Sequence, residues 1–275
     1  MISTRIHAAL LAALMAAGLA ACAPPAARGI HRVEARADYD PLQPMNRKVF
    51  WFNDKLDVYV LVPVAKGWDK IAPKSVERSV SNFFTNLRSP IVIVNDLFQG
   101  KLKNGASDTG RFVVNTTIGI LGFFDRATPL GLEQHVEDFG QTLGWWGLPP
   151  GPYLVIPIIG PSNPRDGVGL IADSFANGLS WFVPWYILIG VRSAEVVNTR
   201  AVLLEPIDEA KRASFDYYVF VRNAYLQRRN ALVNDSVGGS NLNQEELYYP
   251  SMEGTGEDLY HPEETTPETQ GGTKP

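Results

Sequence analysis

The groups in this 275-residue chain that could do chemistry are one cysteine, four histidines and 29 acidic side chains. A nucleophile with its base is the first thing to look for. The chain contains no G-x-S-x-G elbow, no H-E-x-x-H pair and no G-x-x-x-x-G-K-[ST] phosphate cradle. Asp108-Thr109-Gly110 matches the tripeptide of carboxylate-pair proteases. That chemistry needs a second carboxylate sharing a proton with the first, and this tripeptide falls inside a stretch with helical patterning. His135 has Glu133, Glu137 and Asp138 beside it, a set that suggests a metal site. On a helix, however, 133 and 137 share a face and 135 points away. The sequence therefore gives no expectation of catalysis, of a metal or of a cofactor.

The cysteine is more informative. Arg5 supplies a positive start, and Ala8 to Ala17 form an apolar run about ten residues long, the size of a secretion-signal core and too short to span a bilayer. Leu19-Ala20-Ala21-Cys22 follows and resembles the bacterial lipobox, in which the thiol is acylated and the chain is cut before the cysteine. Residues 1–21 then read as a signal peptide and Cys22 as the lipidation site. Ala23 stands where an Asp would by rule retain a lipoprotein at the inner membrane, so the expected address is the outer membrane, lipid-anchored on its periplasmic side.

Composition divides the rest. Residues 22–39 are rich in Pro and Ala without apolar periodicity and read as a lipidated tether. Residues 235–275 carry nine acids against Lys274 alone; such a stretch buries too little apolar surface to offset its ordering entropy and reads as a disordered acidic tail. The formal charge of −4 belongs to that tail, since residues 22–234 hold 23 basic and 20 acidic residues. This balance argues against nucleic acid as a partner and is compatible with an anionic membrane surface.

Residues 40–234 must position whatever site exists, and they read as helices. Asp40-Pro41 looks like an N-cap and first helical turn, and Met45, Val49, Phe52, Leu56 and Tyr59 repeat on one face. Pro63 is expected to break or bend that helix. Pro73 starts another, which Pro90 should interrupt. Residues 103–119 and 214–234 read as helices, and Ser162-Asn163-Pro164 before Arg165-Asp166 reads as a helix start. Residues 153–159 suggest a short strand weakened by Pro157.

Two uncharged stretches are unusually apolar. Trp181 to Val191 contains Trp181, Phe182, Trp185, Ile187 and Leu188; Ile118 to Phe124 contains Ile118, Phe123 and Phe124. As a helix the first would extend ~16 Å, about half of a ~30 Å hydrocarbon core. It can be a buried core helix, or it can enter one leaflet with its ends satisfied by protein; the tryptophans favour the interface.

Ordered blocks along residues 40–234 carry a family resemblance. Asp40-Pro41-Leu42-Gln43-Pro44-Met45-Asn46-Arg47 precedes Phe50-Trp51-Phe52-Asn53. Gly110-Arg111-Phe112 follows, then Glu137-Asp138-Phe139-Gly140-Gln141-Thr142-Leu143-Gly144, Gly160-Pro161-Ser162 with Arg165-Asp166, and Tyr225-Leu226-Gln227-Arg228. This pattern resembles the MlaA/VacJ outer-membrane lipoproteins. The resemblance implies an all-α fold, a ring of amphipathic helices around a central channel in the inner leaflet of the outer membrane. It also implies removal of misplaced outer-leaflet phospholipids through that channel, with a trimeric outer-membrane porin and a soluble periplasmic lipid carrier as partners. No nucleotide loop is present, so transport would be passive. Arg47, Asn53, Arg111, Asp138, Gln141, Arg165 and Asp166, polar residues in the matched blocks, are candidates to line the channel, though for each of them capping a helix or pairing internally is the favoured reading. The candidates to face lipid are Trp181, Phe182, Trp185, Ile187, Leu188, Ile118, Phe123 and Phe124. A structural envelope lipoprotein, acting as a scaffold without transport, is the alternative; a lipid hydrolase would need the nucleophile and base not found above.

Overall fold

The computed structural model describes residues 40–177 and 182–235. The signal peptide, Cys22, the tether, Trp181 and the acidic tail beyond residue 235 lie outside them.

The described residues are mainly helical, as the periodicity predicts, with one small hairpin and a long irregular segment over residues 118–138 that holds only a short 3-10 turn, Thr128–Leu130. In chain order, α1 is Gln43–Leu56, α2 Val62–Ile71, α3 Lys74–Phe98, α4 Leu102–Thr117, α5 Phe139–Trp145, α6 Pro164–Ala176, α7 Trp185–Val202, α8 Leu204–Ala213 and α9 Tyr217–Val233. Strands β1 (Leu154–Ile156) and β2 (Gly160–Ser162) pair antiparallel, Val155 opposite Pro161. Pro157 sits in the turn between them, where it needs no ladder partner.

Three expectations about helix ends change. Asp40 does not cap α1, which starts at Gln43 with no side-chain cap. The Asp40 carboxylate is buried and accepts hydrogen bonds from Asn46 Nδ2 at 2.9 Å and from the Tyr218 hydroxyl. Pro63 does not break the chain either. A wide five-residue turn, Asp57–Leu61, runs straight from α1 into α2, and the Val62 N–H reaches back to the Asp57 carbonyl. The widened turn makes room for the proline ring, which would otherwise press on the carbonyl four residues back. Pro90 lies inside α3, which continues for 25 residues through it. Elsewhere caps fall as sequence suggests. Asn163 accepts the Asp166 N–H at 2.9 Å at the start of α6, and Asp138 accepts the Gln141 N–H at 2.8 Å at the start of α5.

The orientation of these helices is the unusual feature. On α4 the buried stripe is Gly105, Asp108, Arg111 and Asn115, while Val113 is exposed. On α6 Arg165 and Gly169 are buried, and Val168 and Ile171 face out. On α3 the buried residues include Glu77, Ser81, Asn95 and Asp96. Among the described residues, buried positions are polar more often than apolar, and Trp51, Tyr59, Ile71, Ile118 and Trp185 are among many large apolar side chains left exposed. An apolar core does exist, but it is small: Tyr153, Val155, Tyr218 and Leu226, packed against Phe50, Val49 and Tyr225. In water this distribution would be costly, because apolar area gains about 25 cal/mol per Å² on leaving it.

Two glycines permit the closest packing. A Cβ on Gly169 would lie 2.3 Å from the Gly140 backbone nitrogen, so α5 and α6 cross backbone to backbone. Gly122, at φ +94°, would place a Cβ 2.3 Å from the Asn86 side chain.

Candidate functional site

Helices α3, α4, α6, α7 and α9 surround an open cavity of about 600 Å³, whose lining mixes charged side chains with apolar ones, Leu87, Ile91, Leu170, Leu188 and Ile189 among them. Its wall is built from Asn82 and Arg88 on α3, Asp108, Arg111 and Asn115 on α4, Asp173 on α6, Arg192 on α7 and Arg229 on α9, with His135 and Asp138 from the segment before α5.

Charge on this wall is held in pairs. Arg229 makes a two-pronged contact with Asp138, at 2.6 and 3.1 Å, and reaches Asp166 at 2.8 Å. Burial pushes the Asp138 carboxyl up, but the Arg229 charge and hydrogen bonds more than reverse this, leaving it at about 2. Arg111 donates to Asp125 at 3.0 Å and to the Leu132 carbonyl at 2.6 Å. Asp125 is also about 2: burial raises it, and the Thr128 hydroxyl and N–H with the Arg111 charge bring it down. His135 Nδ1 donates to the Asp108 carboxylate at 2.7 Å, which raises the pKa of the imidazole. Arg88 and Arg192 both contact one carboxylate, Glu195, the latter at 2.5 Å. Asp173 is different. It accepts from neutral donors, the Phe139 N–H at 3.0 Å and Asn95 Nδ2 at 3.2 Å, and burial pushes its carboxyl up to about 6.

Of the seven channel candidates, Arg111 and Asp138 lie on this wall. Gln141 and Arg165 are buried behind it, Gln141 donating to Asp138 and to the Val136 carbonyl, Arg165 donating to Asp166 at 3.0 Å. Asp166 joins α6 to α9, accepting from Tyr225 and Asn163 at 2.6 and 2.7 Å. Arg47 and Asn53 sit elsewhere. Arg47 pairs with Asp216 at 2.6 Å and covers the Tyr218 ring at 4.5 Å. Asn53 clamps the hairpin, donating to the Ile156 carbonyl and accepting from the Ile158 N–H.

Among the lipid-facing candidates, Ile118, Phe124, Phe182, Trp185 and Ile187 are exposed. Phe123 turns inward and stacks on Phe83 at 4.9 Å, because Ile120 and Leu121 adopt left-handed backbone and curl the loop back. Leu188 is half-buried on the cavity wall. Sequence reasoning missed Asp173, Arg192 and Arg229. A signal for Asp173 existed: Asp166 and Asp173, with Asn177 just past the helix end, recur on one side of α6 between apolar residues, but a polar stripe is ordinarily read as the solvated side. No group of three or more His, Cys, Asp or Glu residues is arranged to hold a metal ion among the described residues, and no helix there is long and apolar enough to cross a membrane.

Comparison with known proteins places this arrangement. The family model for the MlaA lipoprotein matches residues 38–232. A protein of Escherichia coli strain K12, named intermembrane phospholipid transport system lipoprotein MlaA, is 39% identical over 199 residues, covering 71% of this chain and 78% of that one. Its namesake in Haemophilus influenzae is 34% identical over 204 residues, covering 71% and 80%. A solved chain, described as the structural basis for maintenance of bacterial outer membrane lipid asymmetry, matches with TM-score 0.65 and 37% identity over 71% of this chain and 99% of its own.

Proposed function

The chain belongs to the MlaA lipoprotein family, and from that premise we propose that it is an outer-membrane lipoprotein that withdraws misplaced phospholipids from the outer leaflet. They pass through a polar interior toward the periplasm and on to a soluble lipid carrier. Acylated Cys22 holds the body against the periplasmic side, and a trimeric porin is its neighbour in the membrane.

The observation that carries this reading is the inverted distribution of polarity. A charged headgroup dragged through acyl chains loses its hydration at a cost of many kcal/mol. Polar groups fixed along an interior path replace that hydration, and an apolar exterior lets the body sit among the acyl chains. Arg111 and Asp138, with Asp173, Arg192 and Arg229, supply the path. Ile118, Phe124, Phe182, Trp185 and Ile187 supply the lipid contact. Gln141, Arg165 and Asp166 brace the wall, and Arg47 and Asn53 brace α1 against α9 and the hairpin. The sequence has no nucleotide-binding loop, so flow follows removal of lipid downstream.

Filling the cavity tests this directly. Asn82→Trp on its wall is expected to leave a folded, lipidated protein in the membrane while cells accumulate phospholipid in the outer leaflet. Normal clearance by that variant, with the indole inside the cavity, would overturn the transport reading in favour of a scaffold.

A further inference from the structure

The cavity carries two kinds of charged group whose situations differ, and together they describe a ligand. Arg192 lies on the cavity wall with its side chain more than half exposed, and its guanidinium spends one N–H on Glu195. The planar fork of an arginine has five donors, and the remaining ones can meet an oxyanion. Arg88 converges on the same Glu195 carboxylate from α3, which fixes the position of that carboxylate between two cations. Asp173, on α6, presents a carboxylate to the same cavity, held by the neutral donors Phe139 N–H and Asn95 Nδ2. The other wall carboxylates are matched by cations: Asp138 by Arg229, Asp125 by Arg111, Asp108 by His135 and Glu137 by Lys101.

A cavity of about 600 Å³, taken as a sphere, is roughly 10 Å across. That is room for one headgroup in which an ammonium follows a phosphate by a two-carbon link, with Arg192 and Asp173 both on the wall around it. Resting on the transport reading above, we propose that the cavity selects a zwitterionic headgroup with a primary ammonium: Arg192 takes the phosphodiester, and Asp173 takes the ammonium N–H groups. A glycerol headgroup offers Asp173 only hydroxyls. A trimethylammonium headgroup offers charge without any N–H donor, and it is bulkier.

Full-length lipidated protein, equilibrated with vesicles of equimolar phosphatidylethanolamine, phosphatidylglycerol and phosphatidylcholine and then analysed for bound lipid by mass spectrometry, tests this. The wild-type chain is expected to recover phosphatidylethanolamine about tenfold over each competitor, the range of one charge-assisted hydrogen-bonded contact. Asp173→Asn should level the phosphatidylethanolamine-to-phosphatidylglycerol ratio while total lipid stays similar, and Asp173→Glu should restore it. Arg192→Gln should lower recovery of all three lipids, which share the phosphate. Lipid recovered without headgroup bias by the wild-type chain overturns this inference and leaves the transport reading standing. Recovery of no lipid overturns both. The wild-type comparison with phosphatidylcholine decides the matter even if the Asp173 variants fail to fold.

Discussion

Arg229 concentrates the electrostatics of the interior, standing between Asp138 from the start of α5 and Asp166 from the start of α6. Replacing it with leucine leaves the Asp138 carboxylate without a cation and Asp166 with Arg165 alone, and removing one partner of a buried pair costs about 3–5 kcal/mol. Denaturant unfolding of Arg229→Leu against wild type should show a loss of that size. Acid acts on the same groups. Asp138 and Asp125 sit at about 2 in the folded chain against 3.8 when free, so the stability they contribute is complete above about pH 4 and is lost as pH falls toward 2. His135 works in the opposite sense: its raised value adds stability at low pH that disappears as pH climbs through it. A folding midpoint that rises steadily on acidification from pH 4 to pH 2 would contradict the assignment of both aspartates. The sequence exposed part of this network. Asp138 and Gln141 are close enough along the chain to read as a cap, whereas Arg229 lies 91 residues away and nothing local marks it as their partner.

Helices were the most legible part of the molecule, because a 3.6-residue period survives whichever way the helix is turned. The turning itself was not legible. Apolar stripes ordinarily mark the core side, but Val113 on α4 and Val168 and Ile171 on α6 face out while their polar neighbours are buried. Prolines misled for a different reason: Pro63 and Pro90 lie within continuous helices, the first accommodated by a wide turn. Close approach of two backbones also left only glycines as its sign. Gly169→Ala would put a methyl group 2.3 Å from the Gly140 nitrogen, and forcing α5 from α6 should cost about 1–3 kcal/mol, readable as a lower unfolding midpoint; an unchanged midpoint would mean the crossing is looser than described. At the start of α7, Phe182 and Trp185 are exposed, at 88% and 72%. Serine at both positions should weaken partition of the protein into phospholipid vesicles several-fold with little change in unfolding midpoint, whereas two core side chains would destabilise the fold when truncated.

For the molecule as a whole, transport should depend on the anchor and be independent of the acidic tail. Cys22→Ser is expected to leave unprocessed precursor and to abolish transport at the outer membrane; a variant that still maintains lipid asymmetry would show the anchor to be dispensable. Deletion of residues 240–275 should leave lipid clearance unchanged, and its loss would assign the acidic tail a required partner. One contact near the beginning of the described chain bears on how the anchor is used. Asp40 is gripped by Asn46, Tyr218 and Arg222, and Asn46 is itself fastened to the Tyr153 carbonyl and the Val155 N–H. Were the chain pulled from an acylated Cys22, as proposed above, the load would meet a knot joining first helix, hairpin and final helix at once, and would be shared across that frame instead of peeling one end away.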